Sequence, residues 1–134
     1  MRILMGYTRT ELGEAVAQHA INEARLRDAE LLILNTQRGV DDEEQATQYR
    51  EGLQALEQEL ERSGVTYRVL DYTVGDSLAE DLLAAARKNE IDLLIIGLRR
   101  RSPVGKLVMG STAQEILLNA DCPVLAVKLP PDNE

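Results

Sequence analysis

Phenylalanine and tryptophan are absent from this chain of 134 residues, and tyrosine occurs four times. The core must therefore be built from Leu, Ile, Val and Ala, and the aromatic platforms on which single-stranded nucleic acids stack are missing. Basic residues are outnumbered, 15 against 23 acidic, for a formal net charge of −8. A polyanion would be repelled at long range, so any small anion has to be met by a local basic patch. One cysteine, Cys122, allows no internal disulfide and no CxxC or zinc constellation. Apolar runs stay short of a bilayer span, and MRILMGYTRTE turns polar too early for a signal peptide, which leads us to expect a cytosolic protein. What is present, 44% hydrophobic and 28% charged residues, is ordinary for one globular domain over residues 1–134, ordered almost throughout.

Apolar periodicity divides the chain into alternating strands and helices. RILMGY (Arg2 to Tyr7) reads as a buried strand, and Thr8 with Glu11 has capping-box spacing for a helix from Glu11 to Arg27, with Leu12, Val16, Ala20 and Ala24 on one face. ELLILNT (Glu30 to Thr36) does not alternate, as expected of a strand covered on both faces. Asp41 to Ser63 is the clearest helix, with Ala46, Tyr49, Leu53, Leu56 and Leu60 inward and Gly64 as its stop. TYRVLDY (Thr66 to Tyr72) alternates like an edge strand, and Ser77 to Lys88 is helical. IDLLIIGL (Ile91 to Leu98) is the most apolar strand and precedes an arginine-rich loop with Ser102-Pro103. Ser111 and Gln114 repeat the capping-box spacing ahead of a helix carrying Ile116, Leu117 and Ala120, and PVLAVK (Pro123 to Lys128) closes the series. Five strands and four helices joined by short connections predict an α/β domain: a mostly parallel sheet with helices on both faces, Rossmann-like, for which we expect the order 3-2-1-4-5. Its ligand crevice would lie between the first and fourth strands, under the loops Thr8 to Thr10 and Leu98 to Gly110.

Gly97, Gly110, Ser111 and Thr112 suit phosphate, because glycine admits close backbone approach and a helix N-terminus offers free N–H donors and a positive dipole. Arg99, Arg100, Arg101 and Lys106 add positive charge. The same residues also fit a plainer reading in which the glycines permit turns, Ser111 is an ordinary N-cap and the arginines are solvated. The stretch GLRRRSPVGKLVMGSTAQEILLNADCPVLAVK resembles the C-terminal signature of the universal stress protein family, and the length and strand-helix order of the whole chain are similar to that family's. The resemblance implies a binding module for ATP or another adenine nucleotide, held by glycine, two residues, glycine, nine residues, glycine, then Ser or Thr, and it implies homodimers. Gly97, Gly110 and Ser111 fall on that pattern, whereas Arg100 stands at the middle glycine, where it either blocks the backbone or donates a charge-assisted hydrogen bond. Thr8-Arg9-Thr10 replaces the Asp-Gly-Ser common in nucleotide-binding relatives, leaving Thr8 as cap and ligand contact without a carboxylate.

Other candidates yield no chemistry. His19, the one histidine, has no acid or nucleophile as partner, and Cys122 reads as a small turn residue. Asp41, Asp42, Glu43 and Glu44 complement a helix dipole without needing a metal, and Asp71 lacks the acidic pair after the first strand that a phosphorylated receiver would use for Mg²⁺. With neither general base nor metal-binding carboxylate at the arginine-rich loop, no enzyme activity is expected. A nucleotide-independent alternative is an interaction protein that dimerises through the apolar edge strand Pro123 to Lys128.

Overall fold

The computed structural model describes residues 1–71, 75, 77–99 and 110–130. Nine elements alternate along them: β1 (Arg2–Tyr7), α1 (Glu11–Arg27), β2 (Glu30–Asn35), α2 (Glu43–Ser63), β3 (Tyr67–Leu70), α3 (Leu78–Lys88), β4 (Leu93–Gly97), α4 (Ser111–Asn119) and β5 (Val124–Val127). The strands form one sheet in the order β3-β2-β1-β4-β5, and every neighbouring pair is parallel. This is the expected doubly wound arrangement.

Each strand turns successive side chains to opposite faces, so a strand covered on both sides has to be apolar at every position. In β1, Ile3, Met5 and Tyr7 enter the core beneath α1 and α2, together with Leu31 and Ile33 of β2 and Leu93 and Ile95 of β4. Leu4, with Leu32, Leu34, Leu94 and Ile96, enters the opposite core beneath α3 and α4. Ile3, Leu4, Met5, Leu31, Leu32, Ile33 and Leu94 are completely buried. At roughly 1.5–3 kcal/mol for each buried aliphatic side chain, these central strands supply a large share of the folding free energy.

Helix ends follow the backbone more closely than the sequence spacing suggested. α1 is capped by Thr10, not Thr8: Thr10 is extended (φ −140°, ψ 164°) and its hydroxyl accepts a 2.9 Å hydrogen bond from Gly13 N–H. Thr8 lies two residues too early, and its carbonyl and hydroxyl rest where a Cβ of residue 13 would be, so Gly13 is needed for that close approach. α2 starts at Glu43, two residues after the expected start, because Asp42 caps it by accepting from Gln45 N–H at 2.7 Å. Gly64 ends it in the left-handed region (φ 74°), as anticipated. Ser111 is the first residue of α4 and not its cap; that position belongs to Gly110, which has no side chain to offer. On α4 the buried residues are Ala113 and Ile116, whereas Leu117, expected inside, is 42% exposed and Leu118 is 77% exposed. Tyr72, the expected end of the third strand, lies outside the described residues.

Candidate functional site

At the carboxyl ends of β1 and β4 the sheet opens into a cavity of about 360 Å³. It lies between the two strands from which the chain winds in opposite directions, which is where doubly wound sheets bind ligands. Its volume is toward the small end of the roughly 300–1,000 Å³ usual for small-molecule sites. The rim brings together Thr8 and Thr10 from the β1–α1 turn, Gly97 and Arg99 from the end of β4, and Gly110, Ser111 and Thr112 from the start of α4. Thr8, Gly97, Arg99, Gly110, Ser111 and Thr112, all singled out in the sequence, thus share one cavity. Arg100, the remaining candidate, lies outside the described residues, as do Arg101 and Lys106.

Sequence reasoning missed the floor. Leu12 and Val16 of α1, Leu78 and Leu82 of α3, Ile95 and Ile96 of β4, and Ile116 of α4 line the cavity beneath its polar rim. Each sits in an ordinary amphipathic or buried pattern, so nothing local marks it as facing a hollow instead of a neighbour. Thr10, at the end of the expected Thr8 to Thr10 loop, lines the cavity as well, although it was not among the named binding residues.

The two signature glycines stand in different surroundings. A Cβ on Gly97 would lie 2.7 Å from Leu12 Cγ, 2.8 Å from Leu12 Cδ2 and 3.2 Å from Val16 Cγ2, so glycine there lets α1 lie flat on β4. Gly110 has φ −69° and ψ 164°, open to any residue, and a Cβ would meet no described atom within 4 Å. Among the described residues, neither packing nor conformation demands glycine at 110. No side chain of the described residues caps α4, and its first internal hydrogen bond runs from Gln114 N–H to Gly110 C=O at 3.1 Å. Among the described residues, the N–H groups of Ser111, Thr112 and Ala113 therefore face the cavity end of the helix without a protein acceptor, together with the positive end of the dipole. Arg99 is exposed beside them.

A second polar network braces the adjoining wall. Buried Thr36 donates to Tyr7 C=O at 2.7 Å and accepts from Arg38 N–H at 3.2 Å, which pins the β2–α2 loop to the end of β1. Arg38 Nη2 reaches Asp81 Oδ2 at 3.0 Å, and Asp81 Oδ1 accepts from Gly75 N–H at 3.0 Å. The Asp81 side chain is 7% exposed, so this pair is shielded on the acid side. It holds α3, and with it Leu78 and Leu82, against the loop. Discounted residues stay away from the cavity: His19 is exposed on α1, and Cys122 lies between α4 and β5. Burial, followed by the nearby Asp121 carboxylate, raises the Cys122 thiol pKa, opposite to what a reactive thiolate needs.

Residues 1–128 match the universal stress protein family. A universal stress protein of Mycolicibacterium smegmatis is 42% identical over 127 residues, covering 94% of this chain and 96% of that protein. Another, from Thermus aquaticus, is 31% identical over 136 residues, covering 94% and 97%. The solved structure of a universal stress protein from Archaeoglobus fulgidus superimposes with a TM-score of 0.73 at 27% identity, over 96% of this chain and 98% of that one. Family match, sequence relatives and strand order agree: this chain belongs to the universal stress protein family.

Proposed function

We infer that this protein is a cytosolic stress-response module, one domain over residues 1–134, that binds an adenine nucleotide such as ATP and turns nothing over. The observation that carries the reading is the N-terminus of α4, uncapped among the described residues, opening with Gly110, Ser111 and Thr112 onto an apolar-floored cavity beside Arg99 and Thr8. A phosphate there would accept from the free N–H groups, the hydroxyls and the guanidinium, and a base and ribose would lie over the Leu and Ile floor. Anion stabilisation by a helix N-terminus is worth about 0.3–1 kcal/mol, and up to about 2 when partly buried, so Arg99 and apolar contact have to supply the rest of the affinity. Structural relatives support the choice of ligand. A universal stress protein from Archaeoglobus fulgidus was solved in complex with dAMP (TM-score 0.70, 21% identity), and another universal stress protein in complex with cAMP (TM-score 0.67, 15% identity). Among the described residues, no helix is long and apolar enough to cross a membrane. Heat-denaturing freshly purified protein and analysing the released small molecules by mass spectrometry should recover an adenine nucleotide. The reading is abandoned if nothing is recovered and neither calorimetry nor thermal shift responds to ATP, ADP, AMP or cyclic AMP.

One observation favours a second reading, a dimer that functions without nucleotide. β5 is an edge strand whose Val124, Leu125 and Ala126 are only half-covered, and pairing Pro123 to Lys128 with a second copy would cover them. The two readings are compatible, and an empty nucleotide assay together with a stable dimer would leave this one standing.

A further inference from the structure

Fixed charge in the crevice has one sign. Among the described lining residues, Arg99 is the only one with an ionisable side chain, and the other polar groups are the hydroxyls of Thr8, Thr10, Ser111 and Thr112 with the backbone. No Asp or Glu occurs between Asp92 and Glu115, although the chain contains 23 of them. Two described carboxylates close in the chain to lining residues are placed elsewhere. Glu11, next to Thr10, is exposed and does not line the cavity. Asp81, between the wall residues Leu78 and Leu82, has one oxygen on Gly75 N–H and the other on Arg38. No cluster of three or more His, Cys, Asp or Glu able to hold a metal occurs among the described residues.

Proteins usually bind magnesium nucleotides by adding one or two carboxylates to the oxygens that the phosphates supply. This donor set is built the other way. Among the described lining residues, a Mg²⁺ carried in on a triphosphate would find no carboxylate, would be repelled by Arg99 and the positive end of α4, and would occupy phosphate oxygens that those donors need. Resting on the nucleotide reading above, we propose that the site takes its nucleotide as the free anion, with Arg99, the four hydroxyls and the α4 N–H groups neutralising the phosphate in place of a divalent cation.

Calorimetric titration of the full chain at matched ionic strength, once in EDTA and once in excess Mg²⁺, tests this with ATP as the probe. ATP should bind more tightly in EDTA by roughly threefold or more, the direction that repulsion between like charges in a partly shielded site requires. Binding that is unchanged or tighter in Mg²⁺ overturns the proposal and leaves the nucleotide reading intact. Absence of binding in both buffers, by ATP and by AMP alike, overturns the nucleotide reading itself and this proposal with it.

Discussion

A methyl group at residue 97 would press on Leu12 and Val16, whereas one at residue 110 would meet no described atom within 4 Å. The two glycines therefore predict different mutants. Gly97→Ala forces α1 off β4 and should cost about 1–3 kcal/mol, the range for overpacking a filled core, seen as a lower melting temperature with or without ligand. Gly110→Asp should do the reverse to stability. Its carboxylate would cap α4 and complement the dipole, adding about 0.5 kcal/mol. The same carboxylate would occupy the N–H groups and repel phosphate, so nucleotide affinity should fall roughly tenfold or more. Thermal melts with calorimetry on this variant check both signs. A Gly110→Asp protein that gained stability and bound nucleotide unchanged would remove α4 from the site.

At the scale of elements, the start of α1 separates two threonines that look alike in the sequence. Thr10 accepts from Gly13 N–H at 2.9 Å, while the Thr8 hydroxyl lies 3.5 Å from that of Thr10. Thr10→Ala should cost about 1 kcal/mol in denaturant unfolding, the usual loss for an N-cap, and Thr8→Ala less than about half of that. Equal losses would mean that the cap is shared. The brace between α3 and the β2–α2 loop makes a separate prediction. Asp81→Ala strands Arg38 and the Gly75 N–H, and breaking a buried pair typically costs about 3–5 kcal/mol. Arg38 is 36% exposed, so its charge keeps some solvent and the expected loss is smaller, about 1–2 kcal/mol. Asp81→Asn, which keeps an acceptor for Gly75, should recover part of it, as read from denaturant midpoints. If Asp81→Ala proves neutral, the pair does not hold this wall.

For the whole molecule, the question is what covers the second sheet edge. Leu94 N–H donates to Pro123 C=O at 3.0 Å and Leu98 N–H to Val127 C=O at 2.7 Å. By the alternation of a parallel ladder, residues 124 and 126 turn their backbone groups outward. The opposite edge, β3, carries the exposed Arg68, paired with Glu30 at 3.1 Å, a charge that discourages edge-to-edge pairing. β5 has no such charge within Val124–Val127. Ala126→Pro removes an outward N–H and leaves the bonds to β4 in place, so a dimer built on β5 should dissociate while the monomer stays folded. Sedimentation velocity over a concentration series decides it: an Ala126→Pro protein that associates like the parent would place any dimer contact elsewhere.

The doubly wound class and the helix count were legible because they rest on patterns that no tertiary contact has to supply; the order 3-2-1-4-5 and the crevice it sets do not follow from them, since the same alternation also fits 2-1-3-4-5. ELLILN and LLIIG are apolar at every position, which only a strand buried on both faces tolerates, and alternation with amphipathic helices then leaves few ways to wind a parallel sheet. Gly97, Arg99, Gly110, Ser111 and Thr112 could be named as one group because they lie close together in the chain. Other features depended on which atoms meet. The capping-box spacings at Thr8 and Ser111 did not decide the caps, since a cap is the residue whose backbone stays extended just before the helix, and side-chain spacing does not fix that residue. Leu12, Leu78, Leu82 and Ile116 carry the same apolar signal whether they face a neighbour or a hollow. Sequence alone determined that this chain forms a doubly wound sheet with a polar, glycine-flanked turn at its crevice. Only the tertiary structure decided that α4 starts there over an apolar floor, with no cap among the described residues, because both facts depend on the relative placement of elements distant in the chain.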